Sequence, residues 1–227
     1  MITEVLIKGI VIVRVGLFGG TFNPVHWGHL RSAEEIRELF NLERVIFIPT
    51  NISPHKESQE LVSPHHRLTM LNLAVEDNPF FVTSDIEHKR AGKSYSIETM
   101  NYFKQTAQEE LVPFFIVGVD AFLEISTWKK YQELFSLCNF IVMTRPGYEI
   151  KEQEQLIPHQ VKKEFSYCPD ERRFIHSSQF SIYLAEITAL DISSQSIRTQ
   201  VKNRRSVTYL LPHAVENYIE EHVLYIS

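Results

Sequence analysis

The chain is predicted to fold as an α/β protein, a doubly wound parallel sheet with helices on both faces. Short, nearly continuous apolar runs at 10–18, 44–49, 80–83, 114–118 and 140–144 look like strands buried on both faces. Segments of helical period fall between them. The first run ends in paired glycines and passes straight into a helix pattern. Strand and helix in alternation imply right-handed βαβ units and one parallel sheet, and 227 residues suffice for a single such domain.

The elements follow in order. Residues 1–9 read as a short extension before the first strand. Leu30, Ala33, Ile36, Leu39 and Phe40 recur at helical spacing among charged residues, and Asn41 suits a helix end. Residues 44–49 form a second strand. Residues 50–63 lack any period and read as a loop. Ser63-Pro64 opens a helix carrying Leu68, Leu71, Leu73 and Ala74, with proline suited to its first turn. A third strand at 80–83 precedes a polar stretch, 85–96, expected at the surface, and a helix at 97–103. Strands at 114–118 and 140–144 follow. Residues 148–180 are charged and nearly aperiodic. A last strand at 182–187, a helix capped by Ser193-Ser194 and running to Val201, and a terminal helix at 212–223 complete the chain. The C-terminal part, 191–227, is thus expected to be helical.

Composition narrows the function. The net charge is −5, which disfavours a surface devoted to nucleic acid but permits a local anion site. The two cysteines, Cys138 and Cys168, have no metal-like spacing and fit free thiols in a reducing compartment. Lys8 and Arg14 interrupt the apolar N-terminus, and no run approaches the ~20 residues of a membrane span. A cytoplasmic protein with no membrane partner is expected.

The chemistry concentrates in Gly19-Gly20-Thr21-Phe22-Asn23-Pro24-Val25-His26-Trp27-Gly28-His29. A glycine-rich turn from strand to helix offers backbone N–H groups to an anion. His26 and His29 share a helix face. They read as a metal pair, as ordinary helix-end residues, or as donors to a phosphoryl group. Two histidines leave zinc short of ligands, and no third candidate is obvious nearby. The glycine-rich strand end favours the phosphoryl reading, in which imidazoles stabilise charge developing in the transition state. The segment is neither G-x-G-x-x-G nor a P-loop, so dehydrogenase and P-loop kinase readings lose ground. Ser193, Ser194, Ser196 and Arg198 at a later helix start form a second phosphate-binding pattern, or an ordinary capped helix. Lys202, Arg204 and Arg205 extend its positive charge without the interleaved aromatics of a nucleic-acid site. Lys56 reads as a loop cation. Asp120 reads as a ribose acceptor or a helix cap, and Trp128 as core or as a face for a pyridine ring.

These motifs resemble the bacterial nicotinate-nucleotide adenylyltransferases of the HxGH nucleotidyltransferase superfamily. The resemblance covers nearly the whole chain: Gly19 to Phe22 with His26-Trp27-Gly28-His29, then Pro54-His55-Lys56, Arg90-Ala91-Gly92-Lys93-Ser94-Tyr95, Gly118-Val119-Asp120 with Trp128, Arg145-Pro146-Gly147, Ile192 to Arg198, and Leu211-Pro212. HxGH marks only the superfamily; the later segments, in this order, are more specific. The resemblance implies a Rossmann-like sheet of the nucleotidyltransferase type. It also implies transfer of AMP from ATP to nicotinate mononucleotide, giving deamido-NAD and pyrophosphate, with Mg²⁺ accompanying ATP and no dedicated protein metal site. His26, His29 and Arg198 would be catalytic. Gly19, Gly20, Thr21, Phe22, Gly28, Gly118, Asp120, Ile192, Ser193, Ser194, Ser196 and Ile197 would bind ATP. Asn23, Lys56, Ser94, Tyr95, Ser96, Trp128, Lys129 and Arg145 would meet the acceptor.

Three positions depart from the family pattern. Asn23 replaces a common aspartate, Ser96 a common threonine, and Gln195 a smaller residue. The first two keep a similar polar group; the third puts its own phosphate contact in question. Rival readings are a sister transferase acting on nicotinamide mononucleotide or phosphopantetheine, a nucleotide-sensing regulator, and a nucleic-acid binder. The intact His26, His29 and Arg198 disfavour the regulator. Oligomeric state is left open by the sequence, a homodimer among the options.

Overall fold

The computed structural model describes residues 12–52, 61–90, 92–106, 110–146 and 156–226; the expected 1–9 extension and Lys56 lie outside them. The strands β1 (Ile12–Gly20), β2 (Arg44–Pro49), β3 (Phe81–Thr83), β4 (Glu110–Gly118), β5 (Asn139–Thr144), β6 (Phe165–Cys168), β7 (Arg173–His176) and β8 (Ser181–Glu186) form one sheet. Their order is β3-β2-β1-β4-β5-β8-β7-β6. The helices are α1 (Trp27–Leu39), α2 (Pro64–Val75), α3 (Ile86–Lys89), α4 (Ser96–Thr106), α5 (Val119–Leu123), α6 (Tyr131–Leu134), α7 (Ser194–Lys202) and α8 (His213–Glu221). Pairing is parallel from β3 to β8 and antiparallel through β7 and β6. From β1 the chain builds outward to β2 and β3, then returns to lay β4 and β5 on the other flank. Ligands of open α/β sheets bind where the order reverses, at the carboxyl ends of the strands. Here that point lies between the ends of β1 and β4.

The alternation along β1 builds both layers of the core. Val13, Val15 and Leu17 enter one apolar layer with Ile97, Met100, Phe122 and Leu134. Phe18 enters the other with Leu30, Ala33, Ile36, Met70, Leu71 and Val215. Gly16 is required by close approach: a Cβ there would stand 2.9 Å from both Ile116 Cδ1 and Leu42 Cδ1. β4 begins at Glu110, four residues before the expected start, and carries Pro113 inside a central strand. Proline cannot donate to a ladder. It is tolerated because β5 pairs with β4 only from Phe114 onward, so at Pro113 the ladder is one-sided.

Two stretches differ from expectation. The polar segment 85–96 holds α3, whose Glu87 is buried. The aperiodic region contains a 3-10 turn (His159–Glu164) and the β6–β7 hairpin. Its strands, four residues each, are too short to show a period. Buried His176 staples them, meeting Glu164 Oε2 at 3.0 Å through Nε2 and Ser178 Oγ at 2.7 Å through Nδ1. Among the described residues, no helix is long and apolar enough to cross a membrane.

Candidate active site

The site begins where β1 ends. Phe22 holds a left-handed backbone, φ 47, which costs a bulky residue on the order of 1–2 kcal/mol. Gly20 permits it: a Cβ at that position would stand 2.9 Å from Phe22 Cζ. The buried Phe22 ring then packs edge-on against the His29 imidazole, 5.0 Å between centroids.

His26 is the N-cap of α1, with an extended backbone, and His29 follows in the first turn. The His26 N–H donates to His29 Nδ1 at 3.3 Å. A ring nitrogen that accepts carries no proton, so neutral His29 bears its proton on Nε2. The two rings lie 3.8 Å apart, tilted by 32°. Gly28 makes room for this arrangement, since a Cβ there would sit 3.0 Å from His26 Cε1 and Nδ1. Burial lowers the pKa of His26 to about 4. Burial, reinforced by His26, lowers that of His29 well below the usual range. Both imidazoles are therefore neutral at pH 7, suited to donating hydrogen bonds rather than exchanging protons.

The loop 21–24 is held by its carbonyls. Arg67 Nη1 donates to Thr21 O at 2.9 Å, Arg198 Nη1 to Asn23 O at 2.9 Å, and Ser194 Oγ to Pro24 O at 2.8 Å. α7 is capped by Ser193, whose hydroxyl accepts the Ser196 N–H at 3.1 Å. The Ile197 side chain, expected near the nucleotide, is wholly buried and anchors α7 in the core.

A cleft of about 270 Å³ opens beside the glycines. Gly19, Gly20, Thr21, Ser94, Tyr95, Ser96, Phe115, Trp128 and Lys129 are among its lining residues. Ser94 is fixed from β2's end, accepting the Asn51 N–H at 3.0 Å and donating its own N–H to Ile52 O at 2.9 Å. Trp128 lines the cleft and packs edge-on against Phe115 at 5.9 Å. The Lys129 ammonium lies 2.7 Å from Glu98 and 4.2 Å over the Tyr95 ring. Behind it, Arg90 bonds the Thr99 hydroxyl, which donates to Glu87 Oε1 at 2.7 Å.

Other expected residues stand apart from the cleft walls. Arg145 is exposed just past β5. Asp120 is exposed in the first turn of α5, and Gly118, not Asp120, occupies the cap position. A Cβ on Gly118 would meet nothing within 4 Å, so that glycine faces open space. Ile192 and Gly28 come together, the Ile192 carbonyl lying 3.7 Å from where a Gly28 Cβ would be.

Sequence reading missed Arg67, only 1% exposed, which also donates to Asn51 O at 3.1 Å and Val62 O at 3.3 Å. It ties the loops after β1 and β2 to the start of α2. Its signal was present: Arg67, Met70 and Leu71 share one helix face at i, i+3, i+4, so the arginine occupies a core position. Glu87 and Thr99 were missed as well.

The cytidylyltransferase-like family model matches residues 17–200. A probable nicotinate-nucleotide adenylyltransferase of Citrifermentans bemidjiense is 47% identical over 215 residues, spanning 95% of this chain and 99% of that protein. One from Geobacter sulfurreducens is 44% identical over 213 residues, spanning 94% and 98%. In fold, the chain resembles Plasmodium falciparum nicotinic acid mononucleotide adenylyltransferase complexed with NaAD, with a TM-score of 0.69 at 18% identity over 94% of this chain and 97% of that one. With its sheet reversal and its buried histidine pair in place, the chain belongs to the nicotinate-nucleotide adenylyltransferases of the cytidylyltransferase-like family.

Proposed function

We propose that the chain transfers the AMP moiety of ATP to nicotinate mononucleotide, forming deamido-NAD and releasing pyrophosphate in NAD biosynthesis. The observation that carries the mechanism is the neutral His26–His29 pair at the start of α1, just past the loop that Arg198 holds through Asn23 O. An oxygen of the acceptor's 5′-phosphate attacks the α-phosphorus of ATP in line. The bond from that phosphorus to the bridging oxygen breaks, and pyrophosphate leaves with its electrons. The attacking oxygen is already anionic, so no proton is removed and no covalent enzyme intermediate forms. Catalysis then rests on position and electrostatics.

In this reading His29 Nε2–H donates to a phosphate oxygen whose charge grows in the transition state, and His26 supports it. Gly19 to Phe22, Gly28, Gly118, Asp120 and the start of α7, from Ile192 to Arg198, receive ATP. Mg²⁺ enters with ATP as the counter-ion of its phosphates. The cleft receives the pyridine, with Trp128 and Tyr95 as its aromatic walls and Ser94 and Ser96 as polar contacts. Asn23, Lys56, Lys129 and Arg145 supply the remaining acceptor contacts, Lys129 sharing its charge with Glu98.

The test is pyrophosphate release with MgATP and, in turn, nicotinate mononucleotide, nicotinamide mononucleotide and phosphopantetheine. A strong preference for the nicotinate form is expected. Release with another acceptor alone would replace the substrate and keep the mechanism. Binding of ATP with no release from any acceptor would point to a regulator.

A further inference from the structure

Loop 21–24 is also held by a side chain that arrives from the segment after α8. There the chain turns back with left-handed backbone at Val223, φ 54, and Tyr225, φ 64. Between them Leu224 is 8% exposed, packs into the core around α1 and α2, and donates its N–H to Ile219 O at 3.0 Å. That anchor turns the Tyr225 phenol inward, where its hydroxyl donates to Asn23 Oδ1 at 2.9 Å. The same oxygen accepts the Val62 N–H at 3.4 Å, while the Asn23 carbonyl receives Arg198. Asn23 is thus a junction of four pieces of chain: its own loop, the approach to α2, α7 and the segment after α8. The phenol lies close enough to the guanidiniums of Arg198 and Arg67 to feel their charge. Burial nonetheless raises its pKa well above the usual range, so it remains a donor. A tyrosine in left-handed backbone is strained by on the order of 1 kcal/mol, and such strain persists only where the surroundings fix it.

Asn23 separates Phe22, whose ring seats His29, from the turn leading to His26. A displaced Asn23 would move both histidine supports and the carbonyl that Arg198 grips. We infer that Tyr225 is a positioning residue for adenylyl transfer: through the Asn23 side chain, its hydroxyl sets the loop 21–24 against Arg198 and so sets the grip on the triphosphate. The inference rests on the adenylyl-transfer reading.

The experiment compares the wild-type chain with Tyr225→Phe, Asn23→Ala and the double variant, measuring pyrophosphate release and unfolding midpoints. Loss of one neutral hydrogen bond corresponds to a drop of about two- to ten-fold. Tyr225→Phe should therefore lower kcat/KM for ATP by about that factor and have no further effect in the Asn23→Ala background. Wild-type kinetics in Tyr225→Phe would overturn the inference, as would an equal loss in the presence and absence of the Asn23 side chain. If Asn23→Ala fails to fold, Asn23→Asp replaces it. Its carboxylate accepts the phenol, so Tyr225→Phe must again cost activity there, and no cost overturns the inference. A wild-type chain that releases no pyrophosphate overturns the functional reading itself, and is recognised before any variant is made.

Discussion

Replacing Gly28 by alanine separates the stability of α1 from the seating of its histidines. The new Cβ would lie 3.0 Å from His26 Cε1 and Nδ1, where ordinary contact begins at 3.4 Å. The imidazole must therefore shift by about half an ångström. It has little room, being 6% exposed with the His29 ring 3.8 Å away. Groups that act on a transition state need placement within ~0.5 Å, and a ~1 Å misplacement costs about 10²-fold. Half that displacement corresponds to a fall in kcat of about ten-fold, or ~1.4 kcal/mol of barrier. Stability moves differently, because alanine in a helix is favoured over glycine by up to about 1 kcal/mol, which offsets the local crowding. Initial rates of pyrophosphate release at saturating substrates, beside urea unfolding, separate the two effects. The expected result is reduced turnover with an unfolding free energy within about 1 kcal/mol of wild type. Full turnover with equal or greater stability would refute the reasoning, since His26 would then work as well from a displaced seat.

His29→Ala should lower kcat by about 10²–10³-fold, the usual cost of losing a donor to developing charge, with the unfolding midpoint near wild type; near-normal turnover would remove His29 from the mechanism. Trp128→Ala should raise KM for the acceptor by about ten-fold or more, in keeping with ~1–3 kcal/mol for a stacked base. An unchanged KM would leave the indole only its packing on Phe115. The pH dependence follows from the depressed histidines. Unfolded His26 takes a proton near pH 6.5 and folded His26 only near 4, so its contribution to stability is complete above about 6.5 and is lost as pH falls toward 4. That interval is worth about 3 kcal/mol, measurable as the difference in urea unfolding between wild type and His26→Gln across pH 4–7. A difference independent of pH would show that His26 titrates normally in the folded chain.

Much of this site was legible because its determinants are local. A run buried on both faces shows itself as unbroken apolar sequence, and the strand ending in Gly19-Gly20 announces a tight turn into a helix before any partner is known. The N-cap Ser193 and the histidine spacing depend on one helical turn each. What was illegible depends on groups far apart in sequence. Nothing near Arg67 says that its guanidinium will find Thr21, Asn51 and Val62 carbonyls, and nothing near Tyr225 points to Asn23. Ile197 shows the same limit in reverse, since it sits in a motif expected at the nucleotide yet its side chain belongs to the core. The β6–β7 hairpin escaped because its four-residue strands carry no measurable period and are stabilised by His176 meeting Glu164.

By itself, then, the sequence determined the sheet's parallel strands, the glycine-rich turn after β1, the histidine pair and the family, since each follows from short-range pattern. The tertiary structure alone decided that the imidazoles are neutral, that Gly28 exists to seat His26, and that Arg67 and Tyr225 brace the loop. Protonation, close approach and bracing are set by burial and by neighbours that only the folded chain brings within a few ångströms.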